Sequence, residues 1–251
     1  MKIWAHRGCS LMYPENTLLA FGKAAAIWGL TGIELDIQLT RDGRMVVCHD
    51  ERVDRTTDGT GEVRSFSLAE LKRLKIDAGD GRYEQIPTIE EVLDLLDNRL
   101  RGGLLLNIEL KNSVFPYEGM EEKIVELIRG RGLQDRVIYS SFSALSLESL
   151  RSIDPGAETG ILDTKVSDCL YKLRGGCGAN ALHPNWGWMD IPPEKLAGYT
   201  VRAWAGGRMY PERPAGRRLD LEALERKGIT DVFLNEPERY VSQNKGGSDR
   251  D

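Results

Sequence analysis

Gly32-Ile33-Glu34-Leu35-Asp36-Ile37-Gln38-Leu39 is a strand that carries two acids in an apolar setting. Side chains two apart in a strand share a face, so Glu34 and Asp36 point the same way. The intervening Ile33, Leu35, Ile37 and Leu39 give the segment the character of a buried strand. Bare carboxylates there are costly unless a cation or hydrogen-bond donors compensate them. The segments on either side sharpen this. His6-Arg7-Gly8 closes an earlier strand, and His49-Asp50 follows the turn Arg41-Asp42-Gly43-Arg44, whose Asp-Gly pair signals a hairpin. The chain has only three histidines in 251 residues, and two of them bracket the acidic strand. Two histidines around a cation-holding strand outline an acid–base hydrolase.

Outward from this strand, short apolar segments alternate with amphipathic ones. Strands are expected at 2–5, 32–39, 104–110, 137–140, 159–162, 181–183, 200–204 and 232–234, with a short return strand at 45–49. Helices are expected at 16–28 (capped by Asn16 or Thr17), 88–96, 119–129, 144–152, 167–173 and 220–227. Residues 51–86 are polar and rich in Thr and Gly, with one helical stretch near 67–74, and read as an insertion after the second strand. A repeated βα order implies a parallel sheet, and eight units imply a closed α/β TIM (β/α)8 barrel. The competing doubly wound sheet lacks its glycine-rich turn after the first strand. One catalytic domain over 1–241 is expected, followed by a polar, disordered tail at 242–251.

Composition narrows the function. The net charge is −5 and the pI near 5.4, against the basic surface that nucleic acid requires. No stretch approaches the roughly 18 apolar residues of a membrane span. The N-terminus enters a strand at once, without the apolar region of a signal peptide, so a cytoplasmic protein is expected. The four cysteines have neither Cys-x-x-Cys nor zinc-like spacing. Cys9 and Cys48 lie beside histidines, but small buried fillers are the expectation.

Barrel active sites form at the C-terminal strand ends. His6, the pair Glu34 and Asp36, and the pair Glu109 and Lys111 all fall there, so three carboxylates converge with a lysine and two histidines. Oxygen donors without thiolates suit Mg²⁺, Ca²⁺ or Mn²⁺ better than zinc. A buried ionic network of the same acids with Lys111 and Arg7 is the plain alternative.

His6-Arg7-Gly8, Pro14-Glu15-Asn16-Thr17, Glu34-x-Asp36, Thr40-x-Asp42-Gly43, Val46-Val47-Cys48-His49-Asp50, Asp54-Arg55-Thr56-Thr57, Ile86-Pro87-Thr88 and Glu109-x-Lys111 stand in the order found in the glycerophosphodiester phosphodiesterase family. The likeness is dense over 3–111. Beyond it, Ser140-Ser141-Phe142, Val201-Arg202-Ala203-Trp204 and the segment from Gly228 to Pro237 resemble the later strands. This resemblance implies metal-assisted hydrolysis of a small-molecule glycerophosphodiester. It makes His6 and His49 the acid–base pair, Glu34, Asp36 and Glu109 the metal ligands, and Arg7 and Lys111 phosphate contacts. It also implies the substrate's 2-hydroxyl as nucleophile, through a cyclic phosphate. Two departures, Trp204-Ala205-Gly206-Gly207 and Leu234-Asn235-Glu236, bear on the alcohol side of the pocket.

Other residues are weighed singly. Trp204 packs against glycerol or the core, and His183 contacts substrate or is structural. Asp50 reads as a partner of a neighbouring residue. The arginines in 206–218 form a solvated loop or an anion lure. A lysophospholipase D-type or phosphoinositide-cleaving relative keeps the barrel with another substrate, and Asn185-Trp186-Gly187-Trp188-Met189 is the apolar loop it would use. A zinc amidohydrolase would want His two residues after His6, where Gly8 stands. A silent binding barrel would not need both histidines and all three acids.

Overall fold

The computed structural model describes residues 1–205 and 218–241. The chain opens with β1 (Lys2–His6), α1 (Leu18–Ala25), β2 (Gly32–Leu39) and β3 (Met45–Val47). Then come a 3-10 turn, α2 (Leu68–Leu71) and a small hairpin of β4 (Ile76–Asp77) and β5 (Tyr83–Glu84). Regular alternation resumes with α3 (Ile89–Arg101), β6 (Leu105–Leu110), α4 (Met120–Arg131), β7 (Val137–Ser141), α5 (Ala144–Ile153), β8 (Glu158–Asp163) and α6 (Val166–Arg174). It closes with β9 (Ala181–Pro184), β10 (Thr200–Ala203), α7 (Leu221–Arg226) and β11 (Asp231–Leu234).

Eight strands pair in parallel in the order β1-β11-β10-β9-β8-β7-β6-β2, and β2 pairs back onto β1. This is the closed TIM barrel, with its insertion after the second barrel strand. β3 adds an antiparallel edge to β2. All eight residues of β2 are buried, as befits a parallel strand covered on both faces. Ile33, Leu35, Ile37 and Leu39 join the layer that packs under Phe21 of α1 and Leu93 and Leu96 of α3. The alternate face puts Glu34 and Asp36 inside.

Lower in the barrel, Trp4 Nε1 donates to Asp231 Oδ1 at 2.9 Å, and Arg202 lies against Asp231 and Glu158. Phe233 packs on both Trp4 and His183 with ring centroids 5.7 Å apart. These side chains fill the lower barrel interior, and the cavity lies at the end where β1, β2 and β6 terminate.

Several expected boundaries shift for physical reasons. The first helix starts at Leu18 because its cap is Thr17, whose hydroxyl accepts from Ala20 N–H, and it ends at Ala25 rather than at 28. Asn16 is not a cap; it turns into the barrel. The helix expected to stop at 96 runs to Arg101, since Leu100 continues the buried stripe of Leu93 and Leu96. Thr88 and Glu91 form a capping box at its start. The hairpin β4–β5 was not anticipated, because two-residue strands show no period. The connection from β9 to β10 has only 3-10 turns. The expected tail at 242–251 and the loop arginines Arg208, Arg213 and Arg217 lie outside the described residues. Arg218 stacks its guanidinium over Tyr240. Among the described residues, no helix is long and apolar enough to cross a membrane.

Candidate active site

The backbone leaving β1 turns sharply. Arg7 adopts a left-handed φ of 55°, and Gly8 follows with φ 82°. Two hydrogen bonds hold this turn to β2: Arg7 N–H donates at 3.0 Å to both the main-chain and the Oε2 oxygen of Glu34. Asn16, itself at φ 56°, donates its N–H to the Arg7 carbonyl. The loop between β1 and α1 is thereby folded back over the barrel mouth.

A cavity of about 740 Å³ fills that mouth. His6, Arg7, Glu34, His49, Glu109 and Lys111 line one side. Asp36 lies beneath, fully buried, opposite Glu109 in the β2–β6 register. One oxygen from each of Glu34, Asp36 and Glu109 lies within 4.8 Å of the others. Lys111 Nζ is 2.9 Å from Glu109 and 3.8 Å from Asp36, and Arg7 Nε is 3.6 Å from Asp36.

The electrostatics of this trio are unequal. Burial and the Asp36 charge push Glu34 well above the usual carboxylate range. Burial also raises Glu109, against the pull of Lys111. At Asp36 the cost of burial is outweighed by His49, Arg7 and Lys111, which hold it low. Burial opposes charge on Arg7 and Lys111 as well, but the surrounding acids outweigh it and keep both protonated.

Acids that repel one another, two of them disfavoured as anions, are a setting that a dication relieves. The donors fit. Asn16 Nδ2 donates to Asp36 Oδ2 at 2.9 Å, while Asn16 Oδ1 and Asp36 Oδ1 are buried with no hydrogen-bond partner among the described residues. All these donors are hard oxygens of the kind Mg²⁺ and Ca²⁺ take. The buried group Glu34, Asp36 and Glu109 could therefore hold a metal ion.

The two histidines are held differently. His6 is buried, and its Nδ1 lies 2.7 Å from Asn235 Oδ1. Burial first, then the Arg7 charge, lowers its pKa to about 3, so it is neutral. His49 is a third exposed, and its Nδ1 meets the Asp50 carboxylate at 2.7 Å. The hydrogen bond from His49, with that from Arg55, outweighs burial and keeps Asp50 ionised.

Opposite the charged side, Val114, Phe142, Leu162, Trp204 and Phe233 form an apolar wall. Trp204 donates its indole N–H to the His183 carbonyl at 2.9 Å and lies edge-on to Phe142. His183 reaches the cavity lining but is fully buried, and burial drives its pKa far down. Neither of its ring nitrogens has a hydrogen-bond partner among the described residues. Its ring packs against Gly160, where an added methyl group would lie 2.2 Å from Nε2. Cys9 and Cys48 are buried, and burial pushes each thiol to about 12, which suits inert fillers.

The sequence reading named His6, Arg7, Glu34, Asp36, His49, Glu109, Lys111, His183 and Trp204, which the structure gathers at one barrel end, but it missed Asn235, Glu15 and Arg55 as site residues. Asn235 stood only as a departure from the resembling pattern, 229 positions from the histidine it faces. Glu15 and Arg55 stood only as parts of motifs.

A closed parallel barrel whose mouth gathers buried acids, cationic side chains and two separately held histidines defines a hydrolase of anionic esters. The glycerophosphoryl diester phosphodiesterase family matches residues 6–168, and the chain belongs to that family. A glycerophosphodiester phosphodiesterase of Caldanaerobacter subterraneus is 36% identical over 97% of this chain and 98% of its own. One from Bacillus altitudinis is 43% identical over 96% of each. Among solved structures, an Oleispira antarctica phosphodiesterase in complex with the product sn-glycerol-3-phosphate superposes with a TM-score of 0.75 at 30% identity. That match covers 95% of this chain and 94% of the other.

Proposed function

We propose that this protein cleaves glycerophosphodiesters to glycerol 3-phosphate and an alcohol, with a divalent cation as cofactor and His6 and His49 moving the protons. One observation carries the reading. A single cavity is lined by Glu34, Glu109, Arg7, Lys111 and two histidines whose hydrogen-bond partners differ in kind, with Asp36 buried beneath and completing the acid trio. The product bound to the Oleispira relative supports glycerol 3-phosphate as the part that is kept.

A cation held by Glu34, Asp36 and Glu109 would supply positive charge to the phosphoryl oxygens. Arg7 and Lys111 add to that charge as negative charge builds toward the transition state. Asn235 Oδ1 is an acceptor, so His6 carries its proton on Nδ1 and presents the Nε2 lone pair. His6 is the base for the 2-hydroxyl. Asp50 faces Nδ1 of His49 and balances the imidazolium, so His49 is the acid for the leaving alcohol. The 2-oxygen joins phosphorus, the alcohol oxygen leaves with the His49 proton, and a cyclic phosphate remains. Water then opens the ring with the two roles reversed. Trp204, with Phe142, packs against the glycerol carbons, and His183 forms part of the substrate-facing lining behind them.

A lysophospholipid is the second reading. It is favoured by Val114 and Trp188, which are 58% and 46% exposed in connections that leave the barrel mouth. Turnover of lysophosphatidylcholine in vesicles, compared with glycerophosphocholine, separates the two. For the nucleophile, a diester lacking the 2-hydroxyl should bind and hardly react, and phosphorus NMR on a slow variant should show the cyclic phosphate. Rapid cleavage of the deoxy substrate would instead favour direct attack by water.

A further inference from the structure

Arg55 lies in the insertion, half exposed at the cavity edge. Its guanidinium donates to two carboxylates outside the acid trio. Nη1 and Nη2 donate to Glu15 at 2.8 and 2.7 Å, and Nε and Nη2 donate to Asp50 at 2.7 and 3.1 Å. Each acid has a second partner. Glu15 Oε1 accepts from Arg7 Nη1 at 2.9 Å, and Asp50 Oδ1 meets Nδ1 of His49 at 2.7 Å. The result is one continuous chain: Arg7, Glu15, Arg55, Asp50, His49.

The ends of this chain carry the phosphate contact and the proton donor, and its centre is a single guanidinium. Only a planar fork with five donors can grip two carboxylates bidentately at once. The links come from three separate segments: the loop after β1, the residues after β3, and the insertion. Backbone pairing does not fix the spacing between the side chains of Arg7 and His49, and Arg55 bridges that gap. Charge points the same way. Burial would raise Glu15, but the hydrogen bonds and charges of Arg55 and Arg7 outweigh it and hold its carboxyl at about 2. Without Arg55, the ionised Glu15 would bear on Arg7 alone and Asp50 on His49 alone. Arg7 would then be drawn from the phosphate toward Glu15.

We propose that Arg55 is a positioning residue: it sets the distance between Arg7 and His49, and so gives the insertion a part in catalysis. The inference rests on the phosphodiesterase reading above. Two diesters of glycerol 3-phosphate test it. Glycerophosphocholine needs a proton on its leaving group, whereas the p-nitrophenyl diester does not. Inhibition by glycerol 3-phosphate reports the Arg7 arm.

Arg55→Ala should lower kcat for glycerophosphocholine roughly 10–100-fold, the usual cost of losing a residue that orients a reacting group from behind. It should slow the nitrophenyl diester far less, and weaken glycerol 3-phosphate inhibition severalfold. Arg55→Lys, with one point charge, should recover at most one of the two deficits. The rise in melting temperature on adding Mg²⁺ should survive in both variants, because Arg55 does not touch the acid trio. If Arg55→Ala melts earlier but leaves the substrate ratio and the inhibition unchanged, the contact is structural only and the proposal fails. Equal loss on both diesters would also overturn it. A wild type inactive on both would instead overturn the phosphodiesterase reading, and this proposal with it.

Discussion

Asp36 and Glu109 are register partners on adjacent parallel strands, Glu109 at the cavity lining and Asp36 buried directly beneath it. Glu34 stands two residues before Asp36 on the same face, which completes the trio within 4.8 Å.

Saturating Mg²⁺, Ca²⁺ or Mn²⁺ should raise the melting temperature, by about 2.7 kcal/mol of stability at a hundredfold excess over Kd. Glu34 and Glu109 are raised, so the metal-free site retains protons in mildly acidic solution that a cation must displace. The metal-induced shift should therefore be larger at pH 7.5 than at pH 5.5, and Asp36→Asn should abolish it. Thermal melts at the two pH values check this; equal shifts would argue against the trio as the site.

The histidine partners predict an asymmetry. With glycerophosphocholine, His6→Ala and His49→Ala should each cost roughly 10²–10⁴-fold in kcat. With a nitrophenyl leaving group, His49→Ala should recover most of its loss while His6→Ala stays impaired. Recovery by His6→Ala instead would reverse the assigned roles.

His183 should make the fold sensitive to mild acid. Its folded pKa is far below the unfolded value of about 6.5, so the unfolded chain takes up a proton that the native state refuses. For a lowered base, the stabilising contribution is full above pH 6.5 and is lost as pH falls. The loss approaches about 1.4 kcal/mol per pH unit. Urea titrations between pH 6 and 4.5 should show a shallower fall for His183→Phe than for wild type. Parallel curves would mean that His183 is not held neutral.

Gly8 combines a left-handed φ of 82° with close packing: an added methyl would lie 2.7 Å from the Ala20 carbonyl carbon. Gly8→Ala should cost about 1–3 kcal/mol, as overpacking commonly does. Because Gly8 follows Arg7, KM should rise as well. Chemical denaturation together with steady-state kinetics reads both effects, and unchanged stability would contradict the packing.

Much of this was legible in the sequence where chemistry is local. The spacing of Glu34 and Asp36, and of Glu109 and Lys111, fixes shared faces once each segment is a strand, and the alternation of strands and helices fixes the barrel. What the sequence hid is set by contacts distant along the chain. Asn235 reaches His6 only because β11 closes beside β1. Arg55 finds Glu15 across 40 positions because the insertion folds over the loop after β1. Asn16 looked like a helix cap because Asn caps often, but Thr17 took that role and freed it to meet Asp36. The isolation of His183 depends on Gly160 leaving room on a neighbouring strand, which no local pattern displays.

The central claim is metal-assisted cleavage of a glycerophosphodiester at the acid trio by His6 and His49. Phosphorus NMR of glycerophosphocholine with the purified protein tests it most directly. The account predicts conversion to glycerol 3-phosphate with a divalent cation, arrest by EDTA, recovery with excess metal, and no recovery in Asp36→Asn or His6→Ala. Undiminished conversion after EDTA, or no conversion with any of Mg²⁺, Ca²⁺ and Mn²⁺, would contradict it.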